Sequence, residues 1–213
     1  MIPTRDIDGC RAAQERLLQS LGGLTDDACR RPSLLPGWTV GHVLTHLARN
    51  ADSHVRRIEG AARGQVVEQY IGGREGREAD IEAGAGRSAA ELVDDVRDTA
   101  SAVERAFRSL PPPAWDRPTK DVAGVVRPAN LLPLRRWQEV EVHHADLGLD
   151  VTWKDWSDEF VAAYLPHLLA GMGERLPAGA AAPDLGRVPD REVMAWLFGR
   201  HHRDDLPDVG PWG

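Results

Sequence analysis

Imidazole and carboxylate groups are the side chains that hold metal ions and move protons near neutral pH, and this chain distributes them unevenly. Three of its eight histidines, His42, His46 and His54, lie close together, and His143 and His144 are adjacent. Intervals of four put His42, His46, Asn50 and His54 in a slowly drifting row along one flank of a helix. His46 stands on the order of 120° from the apolar seam of that helix, so periodicity alone leaves it on a polar flank. Farther along, Glu139, His143 and Asp146 share one narrow helical face. Leu131 and Val142 border it on one side, Val140 and Leu147 on the other. A polar stripe between apolar flanks is not the pattern of a solvated face. It directs acid and imidazole groups into a bundle, where each must be paired or metal-bound. Glu-x-x-x-His sets a carboxylate and an imidazole about 5–6 Å apart at their β-carbons, and one small cation can bridge them. A third ligand from a facing helix would complete three protein ligands with an open position, as in catalytic zinc sites. The same spacing also suits a buried Glu–His ion pair, and spacing leaves both readings open.

The elements that must carry these residues are mostly helices. A first helix is expected over 6–21, with Ile7, Cys10, Leu17, Leu18 and Leu21 on one side and Gly22–Gly23 as its stop. "RRPSLLPGW" reads as an extended turn, because Pro32 and Pro36 bar helix. Thr39 is a suitable N-cap for a second helix reaching to about Gly64. The glycine-, arginine- and glutamate-rich stretch "IGGREGREADIEAGAGR" is expected to cross the surface. Ser88 and Glu91 form a capping box ahead of a third helix, whose apolar stripe ends at Pro111–Pro113. Residues 122–127 read as a short hairpin or an ordered loop. Asn130 is expected to cap a fourth helix running to about Leu147, with Pro133 tolerated in its first turn and Gly148 closing it. Four amphipathic helices with intervening loops fit an antiparallel bundle. Beyond Asp150, "TWKDW" reads as a turn. Ser157 caps a helix that Pro166 should kink, and "PAGAAAPDLGRVP" is a connector. Asp190 is expected to cap a last short helix, followed by a tail that stays polar until Trp212.

Composition narrows the function classes. The chain has 213 residues and a formal charge of −7, which argues against a sequence-blind nucleic-acid binder or an acidic-membrane docker. No apolar run approaches the ~18 residues of a membrane span, and the opening "MIPTRDIDGC" has no signal-peptide pattern. Cys10 and Cys29 form no CxxC pair. They read as buried hydrophobes of a reducing, cytoplasmic compartment rather than as a disulfide framework.

"LLPGWTVGHVLTHLARNADSHV" followed by "RRWQEVEVHHADLGLD" resembles the mycothiol-dependent maleylpyruvate isomerase family, within the wider DinB-like metalloprotein superfamily. The resemblance spans roughly residues 1–156. It implies a mainly α fold, with a DinB-like four-helix bundle over 1–150 that holds a divalent metal, usually zinc. Carried over motif by motif, the implied ligands are His46 of "GHVLTH" and Glu139 and His143 of "EVEVH". His42 then becomes a neighbour rather than a ligand, and His144 a packing or surface residue. Asp146 either orients His143 from behind or makes an ordinary buried hydrogen bond.

The region 151–213 departs from the family pattern. The family carries strands between its last two helices, whereas 178–189 has too few β-branched residues for a sheet. A shortened C-terminal helical region is expected there. Its "WLFGR" matches the place of an essential arginine in the isomerases. Arg200 is therefore the candidate clamp for a substrate carboxylate, or else a helix-dipole cation. Arg77, before "EADIE", matches more weakly an arginine of the family's middle loop, and is the candidate cofactor-binding residue. The resemblance implies mycothiol as cosubstrate, its metal-bound thiolate attacking a small electrophile, with Arg200 and Asp146 as candidate catalytic residues. The adduct is then either eliminated, giving cis–trans isomerisation, or kept, giving S-transfer. The alternatives are a DinB-like metallo-hydrolase, with Asp146 as base to a metal-bound water, and a non-catalytic metal-binding bundle. A small-molecule substrate, a low-molecular-weight thiol and a monomer or homodimer complete the expectation.

Overall fold

Helices begin where short polar side chains satisfy the free amide donors of a first turn. In the computed structural model, which describes residues 1–210, Thr39 opens α3 (Val40–Ala62) by accepting from the His42 amide, and His42 Nδ1 accepts the Thr39 amide at 3.2 Å. His42 is thus part of a capping box. Ser88 and Glu91 close the same reciprocal box ahead of α5 (Ala89–Ser109). Ser157 caps α7 (Asp158–Ala170) through the Phe160 amide at 3.2 Å. Gly148, at φ 65°, takes the left-handed turn just beyond α6 (Leu132–Asp146), whose first turn carries Pro133.

The structure is mainly helical and divides into two compact units, Met1–Asp150 and Val151–Gly213. In the first, four long helices close a ring: α1 (Thr4–Ser20) packs on α6 and α5, and α3 packs on α5 and α6. Leu17, Leu44, Leu47, Leu92, Phe107, Trp115 and Trp137 fill its core. Cys10 and Cys29 are free and buried. Of the two readings of 122–127 the hairpin holds, but it begins earlier: β1 (Pro118–Lys120) pairs antiparallel to β2 (Val126–Pro128), and most of the expected stretch is the turn between them. Asp121 Oδ1 organises its turn by accepting the amides of Ala123 and Val125. In the second unit, Trp156, Phe160, Tyr164 and Phe198 stack into an aromatic cluster between α7 and α9 (Asp190–Leu197). A short α8 (Met172–Arg175) precedes the connector, and residues 178–189 contain no strand. Trp212 lies outside the described residues.

Several expectations are corrected. The stretch expected only to cross the surface forms a helix, α4 (Gly73–Ala85). Its glycines lower intrinsic propensity, but Ile81 and Ala85 are buried, and α4 packs along α3. Tertiary burial overrides propensity here. A further short helix, α2 (Asp26–Arg30), is capped by Thr25. Asn130 does not cap α6: it lies in a 3-10 turn, Ala129–Leu131, and donates to Asp116 Oδ1 at 3.3 Å. The chain enters α6 from that turn with Leu131 at the cap position, already right-handed helical. Asp190 is the first residue of α9 rather than its cap, which is Pro189.

Candidate metal centre

His46, Glu139 and His143 are brought together inside the first unit. His46 Nε2 stands 2.9 Å from Glu139 Oε2, and His143 Nε2 stands 3.5 Å from the same oxygen. One ligand-type atom from each residue lies within 4.8 Å of the other two. The two imidazoles meet edge to face, with centroids 4.6 Å apart. His46, placed by periodicity on a polar flank, is only 3% exposed. The reason is that α3 is packed by α5, α4 and α6 together, so little of its surface remains open.

Behind the cluster, Asp146 is buried and its Oδ2 accepts from His143 Nδ1 at 2.9 Å. This turns His143 Nε2 toward Glu139, an arrangement suited to a carboxylate behind a metal-binding histidine. The charges follow from the same contacts. Burial pushes His46 down to about 4, against the opposing pull of its bond with Glu139. Burial works against the charge of Glu139, yet bonds from His143 and His46 outweigh it and hold the carboxyl well below its usual range. Burial likewise opposes protonation of His143, but Asp146 and Glu139 overcome it and raise its pKa. The set is therefore an ionised carboxylate between a neutral imidazole, His46, and a second ring, His143, whose protonated form the two carboxylates favour.

That donor set fits one divalent cation. Two imidazole nitrogens and a carboxylate oxygen are the borderline ligands zinc takes. Ligand atoms ~2.0–2.2 Å from a shared tetrahedral ion stand about 3.4 Å apart, within the observed range. Glu139 remains partly exposed, which leaves one side of the set open.

Arg77 comes to this cluster because α4 is a helix seated on α3. The close seat depends on small residues: a Cβ on Gly41 would stand 2.2 Å from the Ala85 carbonyl oxygen, and one on Gly84 would stand 2.5 Å from Thr45 Cγ2. Arg77 Nη2 lies 3.2 Å from His46 Nδ1. Its guanidinium is 5.9 Å from the Trp38 ring and 5.8 Å from the Tyr70 ring, within cation–π range of both. Trp38 itself lies 5.6 Å from His46. Arg200 belongs to the second unit, just beyond α9, where its Nη1 donates to the Phe198 carbonyl at 2.7 Å. His144 is buried and pairs with Ser20 Oγ at 2.7 Å.

Sequence reasoning missed three residues of this neighbourhood. Trp38 was read only as part of a turn. Tyr70, in irregular chain ahead of α4, carried no signal. Arg136 did carry one: it precedes Glu139 by one turn and extends the same polar stripe.

The fold and site together define a class: a helical bundle whose core holds a two-histidine, one-glutamate cluster suited to a metal. The chain belongs to the family described as the mycothiol maleylpyruvate isomerase N-terminal domain, whose model matches residues 10–148. Two solved structures share the fold over 100% of this chain and 98% of theirs, each with a TM-score of 0.86. One is a crystal structure of the mycothiol-dependent maleylpyruvate isomerase, 19% identical; the other is of a mutant of that enzyme, 18% identical. No curated protein matches the sequence. Among the described residues, no helix is long and apolar enough to cross a membrane.

Proposed function

We propose that this protein is a metal-dependent, mycothiol-using enzyme that acts on a small electrophile, either as a maleylpyruvate isomerase-like cis–trans isomerase or as a thiol S-transferase. The observation that carries the reading is the convergence of His46, Glu139 and His143 in a chain of this family. His46, Glu139 and His143 would hold the ion, and zinc suits the donor set. A bound dication supplies the positive charge that keeps a thiol deprotonated near neutral pH, where a free thiol has a pKa near 8.5.

The chain's own residues do the rest. Asp146 holds His143 in one orientation through Nδ1. Trp38 packs against His46 at a tilt of 55°. Arg77, a planar bidentate donor beside His46, suits an anionic ligand group, and Arg200 is our candidate for a substrate carboxylate. In the isomerase reading, the thiolate sulfur adds to a carbon of a double bond conjugated with a carbonyl. The displaced electron pair moves to the carbonyl oxygen. The former double bond, now single, rotates; the pair returns, the double bond re-forms, and the thiolate leaves. In the transferase reading the adduct takes up a proton and is released. Two free, buried cysteines support a reducing compartment, the cytoplasm.

The test is a set of variants measured for bound metal, thiol affinity and turnover. His46→Ala should lower metal affinity by orders of magnitude and abolish thiol-dependent turnover while leaving the fold intact. Arg200→Ala should keep metal and thiol but lose rate on a dicarboxylate, because a clamp contributes orientation. Full metal and full rate in His46→Ala would overturn the mechanism. Indifference of the parent protein to every low-molecular-weight thiol would favour hydrolysis instead.

A further inference from the structure

Arg136, near the start of α6, is 0% exposed, and among the described residues no carboxylate hydrogen-bonds or pairs with its guanidinium. Its Nη2 is buried without a partner. A buried cation lacking an ion pair is destabilising, and a methionine of similar volume would fill the place without that penalty. What the guanidinium does, and hydrocarbon cannot, is tie three helices at one point. Nη1 donates to the Leu47 carbonyl at 2.8 Å and to Asn50 Oδ1 at 2.9 Å, both on α3. Nε reaches Gln14 Oε1 on α1 at 3.4 Å.

The position of this tie is informative. Leu47 directly follows His46, and Asn50 lies one turn beyond it. Arg136 lies one turn before Glu139 on α6. On both helices the tie is therefore within a turn of the cluster but touches none of its three members. His46 comes from α3, and Glu139 and His143 come from α6, so their meeting depends on how α3 is rotated and slid against α6. The bonds of Nη1 restrict both motions. Cys10 also faces Arg136, but burial pushes its thiol up to about 12, so it is neutral at pH 7. The leading carboxylate facing the cation is then Glu139.

We propose that Arg136 is a positioning residue for the metal centre: it holds α3 and α6 in the register at which His46, Glu139 and His143 meet, acting through Leu47 and Asn50. The inference rests on the metal-binding reading above and extends it to a residue outside the ligand set.

The experiment titrates the metal-free protein with cobalt(II) as a spectroscopic probe and with zinc, alongside urea unfolding. R136M should stay folded, with stability near or above that of the parent, because an uncompensated buried charge has been removed. Its metal affinity should fall about 10–100-fold, the range seen when groups supporting metal ligands are lost, and its cobalt absorption bands should shift. R136K, which retains donors for Leu47 and Asn50, should recover most of the affinity. N50A, which removes one anchor on α3, should also weaken binding, and the double variant R136M/N50A should be no weaker than R136M alone. If R136M fails to fold, N50A decides by the same readout. Unchanged affinity and an unchanged cobalt spectrum in folded R136M, or in N50A, would overturn the proposal while leaving the metal reading intact. A parent protein that binds neither ion would remove the metal reading and this inference with it.

Discussion

His54 lies two turns beyond His46 on α3, with Nδ1 donating to the Asn50 carbonyl at 2.9 Å and the Arg57 guanidinium 3.3–3.4 Å from both ring nitrogens. Burial first, and the Arg57 charge second, hold its pKa well below 6.5. The unfolded chain therefore takes up this proton before the folded one. The stability that follows from a neutral His54 is present above about pH 6.5 and is lost as pH falls below it, at about 1.4 kcal/mol per pH unit for one proton. His143 acts in the opposite sense. Its folded pKa is raised, so its contribution is present below the unfolded value and is lost as pH rises through the folded one. Urea midpoints between pH 7.5 and 5 should separate the two. His54→Phe, beside Phe107, should flatten the acid-side loss by on the order of 1 kcal/mol per pH unit. Identical slopes in variant and parent would show that the acid sensitivity has another source.

At the scale of elements, α4 shows how a short backbone contact can govern a site. A methyl group on Gly41 would stand 2.2 Å from the Ala85 carbonyl, a backbone atom in the last turn of α4 that cannot yield alone. Gly41→Ala should therefore push α4 away from α3 and lower stability by roughly 1–3 kcal/mol, as other overpacked contacts do. Arg77 travels with α4, whereas His46, Glu139 and His143 stand on α3 and α6. Zinc affinity should accordingly change little in Gly41→Ala, while thiol or substrate binding weakens. Calorimetric titration of each ligand on the same variant checks this, and a parallel loss of zinc would mean that α4 also supports the metal cluster.

For the whole molecule, a ligand that binds only the folded state raises stability by mass action. Zinc at 100 times its dissociation constant should add about 2.7 kcal/mol, or roughly 5–10 °C in Tm for a chain of this size. Scanning calorimetry with zinc, with a chelator and with His46→Ala gives the test. The increase should appear with zinc, vanish with the chelator, and be absent from the variant. Because the chain forms two compact units, two transitions are resolvable in principle, and zinc should raise the one that belongs to the first unit. A rise of equal size in His46→Ala would place the zinc elsewhere.

The helical class, the capped starts at Thr39, Ser88 and Ser157, and the lack of strands over 178–189 were legible along the chain, whereas 122–127 was open between hairpin and loop. The legible features follow from local chemistry: a hydroxyl that accepts a first-turn amide, a seam at helical spacing, a run too poor in β-branched residues to pleat. The sequence also placed Glu139, His143 and Asp146 on one face, because i, i+4 and i+7 lie together on any helix. The rest depends on how the helices pack. His46 is buried because three helices converge on α3, which the period of α3 alone does not encode. The stretch 73–85 is helical because Gly41 and Gly84 let it dock closely, against its own weak propensity. Arg77 reaches His46 and the Tyr70 ring only through that docking. Arg136 was visible as part of a polar stripe, but its ties to Leu47, Asn50 and Gln14 exist only when α1, α3 and α6 have packed. Spacing along a chain specifies neighbours within one helix, whereas a site built from several helices depends on how those helices are rotated and seated against one another.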